Sequence, residues 1–328
     1  MLLPLSSTLA KAKYRVSQHT PFISPQIDQA QLKKFYAGHV AAITRAGSGI
    51  GLALAKNLAK LGCDLALSDI NAETLAITKE KLAGYDVQVH TKVVDVTDYE
   101  AVTAWADDIM AEFGQVNFIF NNAGVALTST VEGMSIDEIK WVMDINFWGV
   151  VYGTKAFLPL IKNSVKLAKE NGEKSRHGHI INISSLFGLT AQPTQSAYNA
   201  SKFAVRGFTE SLRHELDIEN CGVSVTSVHP GGIRTNIINS SRGNDSIKDL
   251  GMKGGSESIK KLNKLLKYDP NDAADVILMA VANNESRCLI GDDARMLDVM
   301  QRVTPSHYTQ VVNRLNKLAK RSKKSKRR

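Results

Sequence analysis

Tyr198 and Lys202 stand four residues apart, a spacing that sets both side chains on one face of a helix. A free phenol, with a pKa of about 10, is too weak an acid to act as a base at neutral pH. A neighbouring ammonium favours the phenolate and brings that value down. Such a pair suits general acid–base work on an alcohol or carbonyl oxygen. Ser185 lies thirteen residues earlier, at the end of an apolar run. A hydroxyl there can orient a substrate oxygen and stabilise the charge that develops on it. Ser184, its neighbour, is a rival for that task. His177 and His179 would share a face of a strand, yet no Cys or carboxylate stands near them in sequence. No metal is expected there.

A second constellation lies near the start. Thr44-Arg45-Ala46-Gly47-Ser48-Gly49-Ile50-Gly51 follows an apolar run and opens a helical stretch. Glycines let the backbone approach a pyrophosphate and let helix and strand pack closely. The helix N-terminus supplies free N–H groups and the positive end of a dipole. Asp69 ends the next apolar run, eighteen residues past Gly51. A carboxylate there can accept from both adenosine ribose hydroxyls and would repel a 2′-phosphate, which favours NAD over NADP and leaves NADP open.

These residues need a frame. Short Val/Ile/Leu/Ala runs at 39–44, 64–68, 87–93, 116–121, 179–184, 223–229 and 287–290 read as strands. Most are too uniformly apolar for a sheet wetted on one side, so they are expected to be buried on both faces. Helical stretches at 50–60, 72–82, 99–113, 136–161, 196–218 and 273–282 alternate with them. That alternation implies right-handed βαβ units and a doubly wound, mainly seven-stranded parallel sheet with helices on both faces, an α/β fold of the Rossmann type.

Six motifs in order resemble the short-chain dehydrogenase/reductase family, over roughly residues 38–300. Thr44–Gly51 is similar to its glycine-rich turn, and Asp95-Val96 to its adenine-contacting pair. Asn121-Asn122-Ala123-Gly124 matches its Asn-Asn-Ala-Gly string. Asn146, Ser185, Tyr198 and Lys202 fall where its catalytic tetrad falls, and the spacing to Tyr198 favours Ser185 over Ser184. Pro230-Gly231-Gly232-Ile233-Arg234-Thr235 resembles its nicotinamide turn, where Pro230, Gly231, Ile233 and Thr235 would meet the cofactor. The resemblance implies that Lys202 holds the nicotinamide ribose. It implies that Asn146 positions a water linking Lys202 to solvent. It also implies pairing into a homodimer or homotetramer through two helices, one of which carries Tyr198. The expected activity is NAD- or NADP-dependent interconversion of a secondary alcohol and a ketone or aldehyde. The substrate is expected to be apolar, from Trp148, Leu186, Phe187 and Leu189 near the catalytic positions.

The resembled turn has Gly where this chain has Arg45. A strand-to-helix turn favours Gly for its freedom in φ and ψ. Three explanations stand: the side chain points to solvent, it reaches the ribose and pairs a 2′-phosphate, or cofactor affinity is weakened. The last also supports a rival reading, a non-catalytic nucleotide-sensing or membrane-surface scaffold on the same fold.

The chain has 328 residues, 41 Lys+Arg and 32 Asp+Glu, a formal charge of +9. Nine of those basic residues, and no acidic ones, lie in 314–328, which leaves 32 against 32 in the body. A nucleic-acid binder should carry a basic stripe on its own elements, so no nucleic acid is expected as a partner. Val311, Leu315 and Leu318 precede the basic cluster at helical spacing, which suits either weak contact with an anionic membrane surface or a disordered end. No apolar run approaches the ~18–20 residues of a membrane span. The three cysteines, Cys63, Cys221 and Cys288, are scattered and odd in number, which fits a reducing, cytoplasmic setting, peripheral to a membrane at most. Residues 1–37 hold Pro4, Pro21 and Pro25 and no clear period, and read as an extension outside the fold. Residues 236–267 mix Gly243, Gly251, Gly254 and Gly255 with apolar side chains and read as a substrate lid, and 301–328 as a tail.

Overall fold

A computed structural model describes residues 5–173, 177–235, 237, 241–251, 266–310 and 314. The seven apolar runs become β1 (Val40–Thr44), β2 (Asp64–Asp69), β3 (Val89–Val93), β4 (Phe118–Asn121), β6 (Gly178–Ile183), β7 (Val223–Pro230) and β9 (Arg287–Ile290). They pair in the order β3-β2-β1-β4-β6-β7-β9, every pairing parallel. The strands β1, β4 and β6 are buried along their whole length, as their apolar composition requires. A short pair, β5 (Leu127–Thr128) and β8 (Arg242–Gly243), forms a separate ribbon that has no counterpart in the apolar pattern.

The helices are α1 (Leu5–His19), α2 (Gln29–Tyr36), α3 (Gly49–Lys60), α4 (Ala72–Leu82), α5 (Tyr99–Phe113), α6 (Ile136–Met143), α7 (Gly149–Glu170), α8 (Ser196–Glu219), α9 (Pro270–Ala282) and α10 (Asp292–Val303). One face of the sheet is covered by Leu54 and Leu58 of α3, Ile277 of α9 and their neighbours. The other is covered by Trp105 of α5, Phe157 of α7 and Leu212 of α8. β1 lies between β2 and β4, so the winding reverses there and leaves a crevice at the carboxyl ends.

Three expectations need correcting. The segment 1–37 is not an arm outside the fold. Tyr14, Leu32 and Tyr36 are buried in the main core, and the Tyr14 and Tyr36 hydroxyls donate to the carbonyls of Val276 and Leu278, each at 2.9 Å. Gln18 accepts the Leu289 N–H at 2.9 Å, so α1 covers a backbone group of the edge strand β9. Tyr36→Phe should therefore lower unfolding free energy by about 1 kcal/mol in urea titration, through loss of a buried hydrogen bond; an unchanged midpoint would show that α2 is merely draped on the core.

The stretch 136–161 is not one helix. A π-helical turn, Asp144–Trp148, separates α6 from α7. Such turns insert an extra residue and re-aim side chains, often at functional sites. The tail does not begin at 301 either. α10 runs to Val303, and Tyr308 beyond it accepts the Ala191 N–H at 3.0 Å. Much of the proposed lid, and nearly all of the basic segment, falls outside the described residues.

Candidate active site

The first turn is built from both ends. Thr44 Oγ1 accepts from the N–H groups of Asn122 at 2.9 Å and Ala123 at 3.0 Å. Asn122 Nδ2 returns a bond to the Thr44 carbonyl at 3.0 Å and reaches that of Arg45 at 3.2 Å. The carboxyl ends of β1 and β4 are thereby locked together. A Cβ at Gly51 would collide with the Arg45 carbonyl, which explains glycine at that position. Ser48 caps α3 without a side-chain bond, and no acidic residue stands in the first turn. The end of α3 can thus turn its N–H groups and dipole to an anion. Asp69 is buried and accepts from Gly47 N at 2.9 Å and Asn71 N at 3.0 Å. Asp95 is exposed and accepts from the Thr97 N–H and hydroxyl, while Val96 is buried against Gly149.

The proton-handling side forms across β6 and α8. Ser184 and Ser185 face opposite ways, as neighbours leaving a strand do. The Ser184 hydroxyl donates to the Lys202 carbonyl at 2.8 Å and fastens α8 to the sheet. Ser185 Oγ accepts the Phe187 N–H at 3.1 Å and lies close enough to the Tyr198 phenol to favour its ionised form. Lys202 Nζ donates to the Ile183 carbonyl at 2.9 Å and lies 5.8 Å from the Tyr198 ring centroid. The π turn buries Asn146 completely. Its Oδ1 accepts Val125 N at 2.8 Å, and its Nδ2 donates to Val125 O and Ser201 Oγ at 3.0 Å.

Charge is distributed differently from the sequence expectation. Burial pushes the Tyr198 phenol above its ordinary value, opposed by the Ser185 hydroxyl and then by the Arg45 cation. Lys202 is brought down to about 7, chiefly by burial and then by Arg45. Arg45 thus joins Lys202 as a cation near the phenol, and it lowers the phenol's pKa.

Arg45 sits at φ +52° and its half-buried side chain turns inwards. Its Nη1 donates to the Gly124 carbonyl at 2.8 Å. Burial lowers the guanidinium's pKa, opposed by Asp69 and then Tyr198. The solvent-pointing explanation is therefore excluded.

On the far side, the turn after β7 is held by a residue the sequence reading missed. The Asp293 carboxylate accepts Gly232 N at 2.7 Å, and a Cβ on Gly231 would collide with it. Two acidic residues in succession directly after a strand were the available signal. Gly231→Ala should cost about 1–3 kcal/mol of stability by overpacking and weaken nucleotide binding, checked by urea titration and ligand titration side by side. His229, also unflagged, bonds Ser185 O and Ser227 Oγ, each at 2.9 Å, and burial brings it to about 3, so it stays neutral. His179 does likewise against Thr226 at 2.7 Å, while His177 stacks on Phe35.

Arg45, Ser48, Gly49, Ile50, Asn122, Gly124, Ser185, Tyr198, Lys202, Pro230, Gly231, Ile233 and Thr235 wall one cavity of about 110 Å³. Asp69, Asp95 and Val96 lie outside that cavity. A larger space of about 450 Å³ lies beyond Gly49 and Thr235, beside Lys56 and Arg234, but the titrating side chains do not converge on it. Of the apolar residues expected around a substrate, Phe187 meets Tyr198 edge-on at 6.1 Å. Trp148 instead faces outwards, 44% exposed, beside Tyr152, as a residue two positions from the buried Asn146 on a helical turn must.

The short chain dehydrogenase family model matches residues 39–246. The Mycobacterium tuberculosis oxidoreductase SadH is 43% identical over 277 residues, 84% of this chain and 95% of its own. Human estradiol 17-beta-dehydrogenase 11 is 30% identical over 283 residues, 86% of this chain and 84% of its own. A Burkholderia phymatum short chain dehydrogenase/reductase solved with NAD superposes at a TM-score of 0.71 with 28% identity, covering 82% of this chain and 95% of that one. The doubly wound sheet with a nucleotide turn at its switch point, together with these matches, makes the chain a nicotinamide-dependent oxidoreductase acting on CH–OH groups. The chain belongs to the short-chain dehydrogenase/reductase family.

Proposed function

We propose that this protein interconverts an apolar secondary alcohol and its ketone or aldehyde, with Tyr198 as the acid and base. The observation that carries the reading is the convergence of Ser185, Tyr198 and Lys202 on one cavity with the glycine-rich turn. A bound nicotinamide cofactor supplies or accepts the hydride. Tyr198 Oη gives its proton to the carbonyl oxygen in reduction and takes it back in oxidation. Ser185 Oγ orients that oxygen and shares the charge growing on it. Lys202 holds the ribose beside the phenol. Asn146, fixed by three polar atoms around it, keeps the Val125 backbone and Ser201 in place behind Lys202. The uncapped end of α3 takes the pyrophosphate, and Asp69 favours NAD over NADP.

The apolar class is supported by Phe187 against Tyr198 and by the name of the human relative, which acts on estradiol. A second copy is the proposed partner, since α7 leaves Leu167 exposed, α8 leaves Phe203 exposed, and Trp148 just ahead of α7 is exposed as well. The basic segment 314–328 is proposed to add weak contact with anionic lipid, tested by liposome co-sedimentation with and without it.

Nicotinamide fluorescence on titration, followed by a panel of steroid and other apolar alcohols, tests the main reading. Binding plus turnover of at least one such alcohol is expected. Absence of binding by every nicotinamide dinucleotide at millimolar concentration would reject it in favour of a non-catalytic scaffold.

A further inference from the structure

Arg45 breaks the glycine pattern of the first turn, and its backbone bears the consequence. At φ +52° it occupies the left-handed region, which residues with a Cβ enter at a cost. The side chain is carried into the cleft. The Gly124 carbonyl that receives Nη1 belongs to a residue at the catalytic end, since a Cβ added there would stand 3.4 Å from Lys202 Nζ and 3.2 Å from Asn146 Oδ1. Arg45, Tyr198 and Lys202 are walls of the same cavity, and no carboxylate among the described residues lines it. Asp69 and Tyr198 act on the guanidinium from either side, and Lys202 feels it as a second cation.

A nicotinamide ring carries a full positive charge when oxidised and none when reduced. In the proposed reaction the ring must come within reach of the carbon whose oxygen Tyr198 addresses. There it enters the field of a guanidinium that glycine would not supply. Like charges in a partly water-excluded cleft repel, and a neutral ring is spared. We propose that Arg45 sets the cleft's preference between cofactor redox states, admitting the reduced dinucleotide and disfavouring the oxidised one. The proposal rests on the nicotinamide reading above. Its consequence is that a carbonyl compound, rather than an alcohol, meets the loaded site. If instead Arg45 swings out to pair the pyrophosphate, it strengthens both redox forms alike, because both carry the same phosphates.

Calorimetric titration of NAD+ and NADH into the full chain, Arg45→Gln and Arg45→Gly tests this. Gln removes the charge and keeps most of the length, while Gly also relieves the backbone. Both variants should lower the ratio of oxidised to reduced Kd by about tenfold or more, mainly by tightening NAD+. An unchanged ratio, or an equal shift of both affinities, overturns the redox preference while leaving the nicotinamide reading intact. Failure of either form to bind any of the three proteins overturns both.

Discussion

Tyr198→Phe is expected to cut turnover by about 10²–10⁴-fold while leaving cofactor affinity nearly unchanged. The substitution removes the oxygen alone. The ring keeps its burial and its edge-on contact with Phe187, so the walls of the cleft stay in place. Ser185 keeps the Phe187 N–H as a partner, so the loss should cost only about 0.5–1.5 kcal/mol of stability. The remaining machinery can still bind and orient, but no other phenol or carboxyl among the described residues lines the cavity to deliver a proton. The pH behaviour separates the two directions. Burial holds the phenol above its ordinary value, and Ser185 and Arg45 oppose that rise. Oxidation needs the deprotonated form and should climb with pH through the alkaline range. Reduction needs the protonated form and should stay level through neutrality. Steady-state rates of wild type and Tyr198→Phe in both directions check this. Residual activity within tenfold of wild type would move the proton-transfer role to another group.

The sheet was legible because its central strands are buried on both faces and leave uniform apolar runs. The first turn was legible because close approach at Gly51 tolerates no Cβ. α1 escaped notice for a different reason. Among its described side chains Tyr14, Ser17 and Gln18 are the buried ones and do have helical spacing, yet two of the three are polar. Ser17 donates to Tyr14 O at 2.6 Å and Gln18 satisfies the edge of β9, and neither task leaves a mark in a hydrophobic pattern. The π turn itself has no compositional signature, although the opposed directions of Asn146 and Trp148 follow from a spacing of two on any helical stretch. Choosing between Ser184 and Ser185 took a resemblance in sequence and only alternation along the strand in the structure. Arg45 was conspicuous as a departure, but its effect depends on a backbone angle and on where the side chain lands.

Lys202→Met is expected to make the cofactor-free protein more stable by about 1–4 kcal/mol at neutral pH, although turnover falls sharply. Lys202 is buried beside another cation, its Nζ bonds the Ile183 carbonyl among the described residues, and its pKa falls to about 7 from 10.5. In the unfolded chain the same amine titrates near its ordinary value, about 10.4. Between these limits the unfolded state holds a proton that the folded state has lost. Stability from this group therefore rises with pH from about 7 towards 10.5, by at most about 1.4 kcal/mol per unit. Below about 7 both states are protonated, the slope vanishes and the full cost of the buried charge remains. A methionine of similar reach removes that cost and the slope together. Urea titrations at a series of pH values, on wild type and Lys202→Met without cofactor, should converge as pH rises. Parallel curves would mean that Lys202 keeps its charge through another partner in the free site. An amine whose pKa lies so close to 7 needs a partner for its charged form, and an incoming dinucleotide brings anionic phosphates and ribose hydroxyls that accept its N–H bonds. Cofactor binding should then draw a proton from solvent near pH 7.5, an uptake that Lys202→Met abolishes and that calorimetry in buffers of different ionisation enthalpy detects.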